Sequence, residues 1–188
     1  MTRSLGIAVF GGSDPPPGDP GYEMARRVGA LIAARGLPVV CGGYGGVMEG
    51  AARGAREVGG EAIGVTCSGF RDRAPNRFLS QAIPEPDLFS RTRRLIELAL
   101  GFIILPGRSG TLAELAFLWA LRRGGFGTGR PVVLLGDLWP AVLDALKAGR
   151  LLDHDSLADT RVAADPVEAV GLACAGSSLS PGRPEILT

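Results

Sequence analysis

The sequence predicts a doubly wound α/β domain, a parallel sheet of about six or seven strands with helices on both faces. Three observations carry that prediction. Short continuous apolar runs alternate with segments of helical period along the whole chain. The runs lack an in–out alternation, which marks strands covered on both faces. Glycine is abundant, at 29 of 188 residues, and it clusters where apolar runs end, as strand-to-helix turns require.

The elements follow in order. Residues 5–10 form a buried strand ending in Gly11, Gly12 and Ser13, and residues 14–21 are a Pro- and Gly-rich loop. Residues 22–35 carry Met24, Val28, Leu31 and Ile32 at helical spacing, and Gly36 stops that helix. A second strand spans 37–41, followed by Gly42, Gly43, Tyr44, Gly45 and Gly46 and a helix over 47–58. A third strand spans 61–66, and residues 67–81 read as a polar loop. Residues 88–100 are helical and 101–105 form a fourth strand. A second glycine turn, Pro106 to Thr111, opens a helix that runs to about Arg123. Residues 124–129 are a loop and 131–135 a fifth strand. Pro140 suits the first position of a helix reaching Lys147. Residues 161–164 form a last short strand, and Asp165 caps a final helix. Residues 1–175 thus read as one Rossmann-like domain, and residues 176–188 as a flexible tail.

Composition narrows the function classes. Hydrophobic residues make up 46% and charged residues 21%, a globular balance. A net charge of +1 argues against nucleic acid or an anionic membrane as the main partner. Cys41, Cys67 and Cys174 are odd in number and widely spaced, which fits free thiols and a cytoplasmic protein rather than zinc or disulfides. The N-terminal apolar run is too short for a signal peptide, and no stretch reaches the length of a membrane span.

The chemistry sits on the glycine turns. In such sheets ligands bind at the carboxyl ends of the strands, where free backbone amides and helix dipoles favour an anion. The candidate phosphate- and nucleotide-binding residues are Gly11, Gly12, Ser13, Gly42, Gly43, Gly45, Gly46, Met48, Glu49, Pro106, Gly107, Arg108, Ser109, Gly110 and Thr111. Neither later turn is a Walker loop, and the first strand is not followed by GxGxxG. The plain alternative is that these glycines serve only tight turns.

The segment from Pro106 to Glu114, PGRSGTLAE, resembles the PGGxGTxxE signature of the LOG ("lonely guy") family, often mislabelled as lysine decarboxylases. Gly42 to Glu49 resembles that family's other glycine motif, and Arg91 stands fifteen positions before Pro106, where the family has a functional arginine. The resemblance implies a Rossmann-like fold and hydrolysis of nucleoside 5′-monophosphates, AMP or cytokinin ribotides, to base and ribose 5-phosphate. It implies Glu114 and Arg91 as the catalytic pair, no metal or cofactor, and a homodimer. Two departures stand out: Arg108 replaces the second glycine of PGG, and Thr92 stands where the family has lysine. Relatives resembling molybdenum-cofactor carriers share the second departure, so a non-catalytic carrier or sensor of nucleotide or molybdenum cofactor is the alternative. A pyridoxal-phosphate decarboxylase is excluded, because Lys147 is the only lysine and lies far from every glycine turn.

Each candidate also has a structural reading. Thr111 and Glu114 form a capping-box pattern. Arg91, with Arg93 and Arg94, fits a solvated helix face. Arg71, Arg73 and Arg77 either gather a second anion or decorate a loop. Glu49 suits a helix first turn, and His154 reads as surface or packing. Leu115, Phe117, Leu118 and Trp119 either form a dimer contact or face the core.

Overall fold

The structure is a computed structural model describing residues 5–70, 73–126 and 129–175. Arg71 and the tail expected from Gly176 lie outside the described residues. The strands are β1 (Gly6–Phe10), β2 (Val39–Cys41), β3 (Ala62–Cys67), β4 (Gln81–Glu85), β5 (Ala99–Ile104), β6 (Val132–Leu135) and β7 (Thr160–Ala163). The helices are α1 (Pro20–Ala33), α2 (Val47–Glu57), α3 (Leu88–Glu97), α4 (Ser109–Arg123), α5 (Leu138–Ala148), α6 (His154–Leu157) and α7 (Pro166–Cys174).

The strands form one sheet in the order β4-β3-β2-β1-β5-β6-β7, every neighbouring pair parallel. The chain moves outward from β1 to β4, returns through α3 to the other side of β1, then moves outward again from β5 to β7. Strand order therefore reverses between β1 and β5, the position where doubly wound sheets bind ligands.

Two-residue alternation along the strands builds a core on each face. Ile7, Val9, Val39, Cys41, Ile103 and Leu105 pack under α1, α2 and α7. Ala8, Phe10, Val40, Val65, Phe102 and Ile104 pack against Leu95 of α3, Leu115 and Trp119 of α4 and Trp139 of α5. Both faces being covered explains why the strands read as unbroken apolar runs.

Glycines set the closest helix contact. A Cβ on Gly54 of α2 would strike the Arg26 carbonyl of α1, and one on Gly29 would strike the Ala51 carbonyl. Backbone cannot retreat as a side chain can. Gly54→Val is expected to cost about 3 kcal/mol by forcing the helices apart, measured as a lowered urea midpoint at unchanged m-value.

Several boundaries differ from the sequence expectation. α1 starts at Pro20 inside the expected loop, because Asp19 accepts from the Gly21 N–H at 2.7 Å and proline suits the first helical position. α3 stops at Glu97 and β5 begins at Ala99, since Leu98 and Leu100 satisfy both a helical period and a strand run. Pro140 is the third residue of α5, not the first. The short α6 has too few residues to display a period. β4 follows the polar loop as a largely exposed edge strand, QAIPE, which shows no apolar run and contains Pro84. Among the described residues no helix is long and apolar enough to cross a membrane.

Candidate functional site

The site grows from the loops that leave the carboxyl ends of β2, β1 and β5, three adjacent strands. The β1–α1 and β5–α4 loops are joined by a hydrogen bond from the Gly12 N–H to the Pro106 carbonyl at 3.1 Å. A Cβ on Gly107 would collide with Thr111 Oγ1 and come 2.7 Å from the Gly12 nitrogen, so only glycine lets these loops meet. The β2–α2 loop closes from the other side: the Val47 N–H donates to the Gly12 carbonyl at 2.9 Å. Gly46 sits at φ 67°, and a Cβ there would strike that same carbonyl.

The three helix starts differ in what they leave open. α1 is capped by Asp19, and the first amide of α2 is taken by Gly12. α4 has no side-chain cap, and Ser109 and Gly110 are exposed, with open space where a Gly110 Cβ would lie. Backbone amides at an uncapped helix start are ready donors for an anion.

Beside that opening lies a buried ion pair. Arg91 of α3 is almost wholly enclosed. Its Nε donates to the Val65 carbonyl at 2.8 Å and Nη2 to the Gly42 carbonyl at 3.2 Å, while Nη1 faces Glu114 Oε1 of α4 at 3.4 Å. The Tyr44 ring lies under the guanidinium, 5.9 Å from centroid to Cζ. That ring is fixed in turn, since the Tyr44 hydroxyl accepts from the Cys67 N–H at 2.8 Å and donates to the Cys67 carbonyl at 3.3 Å. A Cβ on Gly42 would overlap Arg91 Nη2, so that glycine makes room for the cation. Burial pushes the Glu114 carboxyl above its usual value, and Arg91 pulls it back only in part. Burial also pushes the nearby Cys41 thiol up to about 11, so it stays protonated and is a poor nucleophile near neutral pH.

The structure decides several of the open alternatives. α4 begins at Ser109 with Arg108 as its cap residue, so Thr111 and Glu114 lie too deep in the helix to form a capping box. Glu114 turns to Arg91 instead. Arg91 is no solvated side chain, unlike its exposed neighbour Arg93, while Arg94 pairs with Glu85 and Glu97. Leu115, Leu118 and Trp119 belong to the core; of that quartet only Phe117 is exposed. Glu49 accepts from the Tyr22 hydroxyl at 3.1 Å, and Met48 packs buried beside Gly42. Gly43 and Gly45 lie inside the β2–α2 loop, where the Asn76 N–H donates to the Gly43 carbonyl at 2.9 Å and Ser13 O approaches Gly45. Gly11 abuts Val47. Arg73 and Arg77 are exposed, over the rings of Phe70 and Phe78. His154 is exposed, outside the site. Two members escaped sequence reasoning: Tyr44, signalled only by an aromatic residue interrupting a glycine run, and Asn76, whose amide donates to the Tyr44 carbonyl at 3.0 Å.

The family model described as the SLOG cluster4 family matches residues 4–159. The chain belongs to the SLOG cluster4 family. Among curated relatives of this SLOG cluster4 protein is a Mycobacterium tuberculosis protein named cytokinin riboside 5′-monophosphate phosphoribohydrolase. It is 32% identical, over 94% of this chain and 97% of its own length. An Escherichia coli K12 protein named pyrimidine/purine nucleotide 5′-monophosphate nucleosidase is 34% identical over 52% of this chain and 23% of its own length. Among solved structures, the molybdenum cofactor carrier protein of Chlamydomonas reinhardtii superposes with a TM-score of 0.70 at 25% identity, covering 94% of this chain and 100% of that one. The LOG-like resemblance, with molybdenum-cofactor carriers nearby, is thereby borne out.

Proposed function

We propose that this SLOG cluster4 protein hydrolyses the N-glycosidic bond of a nucleoside 5′-monophosphate, releasing the base and ribose 5-phosphate. The observation that carries the reading is the buried Arg91–Glu114 pair beside the uncapped start of α4. The 5′-phosphate is held by the amides of Ser109, Gly110 and Thr111. Glu114 lies five residues into the helix, about 7.5 Å along its axis from Ser109, within reach of the ribose. As the bond to the base lengthens, positive charge develops at C1′. The base departs with the bonding electron pair. An ionised Glu114 opposes the charge at C1′ and takes a proton from the attacking water, which supplies the new C1′ oxygen, and that proton balances the one the departing base gains. Arg91 holds the carboxylate in place. The names of the relatives support this class of substrate. The test is incubation of the purified protein with AMP, with free adenine and ribose 5-phosphate as the expected products.

A second reading is supported by the likeness to the molybdenum cofactor carrier and by Thr92 standing where the LOG family has lysine. On that reading the same amides hold the phosphate of a pterin or nucleotide without cleaving it. No adenine released, together with tight binding of such a ligand, would favour it.

A homodimer also belongs to this proposal. Leu112 and Phe117 on α4 and Leu88 and Phe89 on α3 are exposed apolar residues on the two helices that carry Glu114 and Arg91, with Phe89 87% exposed. Large apolar side chains left exposed on these two helices support an interaction surface there. The chain is expected to sediment as a dimer, and Phe117→Glu to sediment as a monomer.

A further inference from the structure

The start of α4 carries a charge where the fold needs none. Arg108 is its cap residue, with φ −95°, a backbone any residue can adopt, and its side chain makes no capping bond. A cation there faces the positive end of the helix dipole and is disfavoured. What offsets it is Asp14, whose Oδ2 lies 3.0 Å from Arg108 Nε. Asp14 belongs to the β1–α1 loop and Arg108 to the β5–α4 loop, so the pair spans the two loops that border the switch point. Both side chains are open to water, 83% and 55% exposed.

Exposed ion pairs of this kind contribute little and exchange partners readily. A phosphate dianion offers a guanidinium two parallel hydrogen bonds and more charge than one carboxylate. We propose that Arg108 and Asp14 form an exchangeable latch at the mouth of the phosphate site. Arg108 leaves Asp14 to grip the incoming phosphate, and Asp14 is the anion that phosphate must displace. The proposal rests on the reading of α4's start as the phosphate site. It gives the two residues opposite roles: Arg108 favours the ligand and Asp14 competes with it. The ligand class selected is a terminal phosphate monoester; a neutral nucleoside leaves the latch closed.

The test is calorimetric titration of AMP, with adenosine as the uncharged control, into the wild-type protein, Arg108→Gly and Asp14→Asn at low salt. Thermal melts establish that both variants stay folded. Arg108→Gly is expected to weaken AMP binding about tenfold and Asp14→Asn to tighten it about threefold, with adenosine unmoved. If the pair only staples the loops, both variants shift AMP binding in the same direction or not at all, and the latch is refuted. If wild-type protein binds AMP no better than adenosine, the phosphate site itself is refuted, and the latch with it.

Discussion

Glu114→Gln is expected to lower AMP hydrolysis by about a thousandfold while AMP binding changes no more than a few-fold. Glutamine keeps the shape and can still approach Arg91, so α4 and its amide-lined opening stay in place. It cannot carry negative charge toward C1′ or accept a proton from water, contributions that together span roughly 10² to 10⁴ in rate. The same residue predicts the pH profile. Burial raises the Glu114 carboxyl above its ordinary value. Since the ionised form is the active one, the rate rises with pH, and its acid limb lies above the usual carboxylate range. Adenine release followed from pH 4 to 9 reads that limb. A limb at the ordinary carboxylate position, or a Gln variant with wild-type rate, would remove Glu114 from the chemistry.

Arg91→Met is expected to cost stability as well as activity. The guanidinium neutralises Glu114 and satisfies the carbonyls of Val65 and Gly42. Methionine approximates the length of the stem but supplies no donor, leaving a buried carboxylate without its cation. Breaking a buried pair in this way costs about 3–5 kcal/mol, read as a lowered denaturation midpoint. Where the variant still folds, Glu114 loses the charge that holds its carboxyl down, so the acid limb moves to higher pH. A double variant, Arg91→Met with Glu114→Gln, is expected to recover part of the stability and none of the activity, because it removes the orphaned charge without restoring the carboxylate. Recovered stability separates the charge argument from a simple packing defect.

The parts of this molecule legible in its sequence are those governed by local rules. Uninterrupted apolar runs reported the double-sided sheet, and glycine after each central strand reported the close-packed loops at the carboxyl ends of β1, β2 and β5. β4 was not legible, because an exposed edge strand needs neither an apolar run nor an alternating one. The α3–β5 boundary was not legible, because leucines at 98 and 100 serve either period. At the site, Arg91, Arg93 and Arg94 look alike in sequence. Only the placement of α3 over the ends of β2 and β3 sends one of them inward to two backbone carbonyls. The capping-box pattern at Thr111 misled for a related reason: where a helix starts is settled by the backbone around Gly107 and Gly12, beyond the reach of a four-residue motif. The pairing of Glu114 with Arg91 came from family resemblance, and the geometry adds the 3.4 Å contact between them.

Pro84 has a consequence for how copies of this chain can come together. It lies in β4, which among the described residues pairs only with β3, where Pro84 stands opposite Thr66. Proline brings no amide hydrogen to the outer margin, so a foreign strand approaching there finds a break in the row of donors it would need. Growth by adding strands is discouraged at that border.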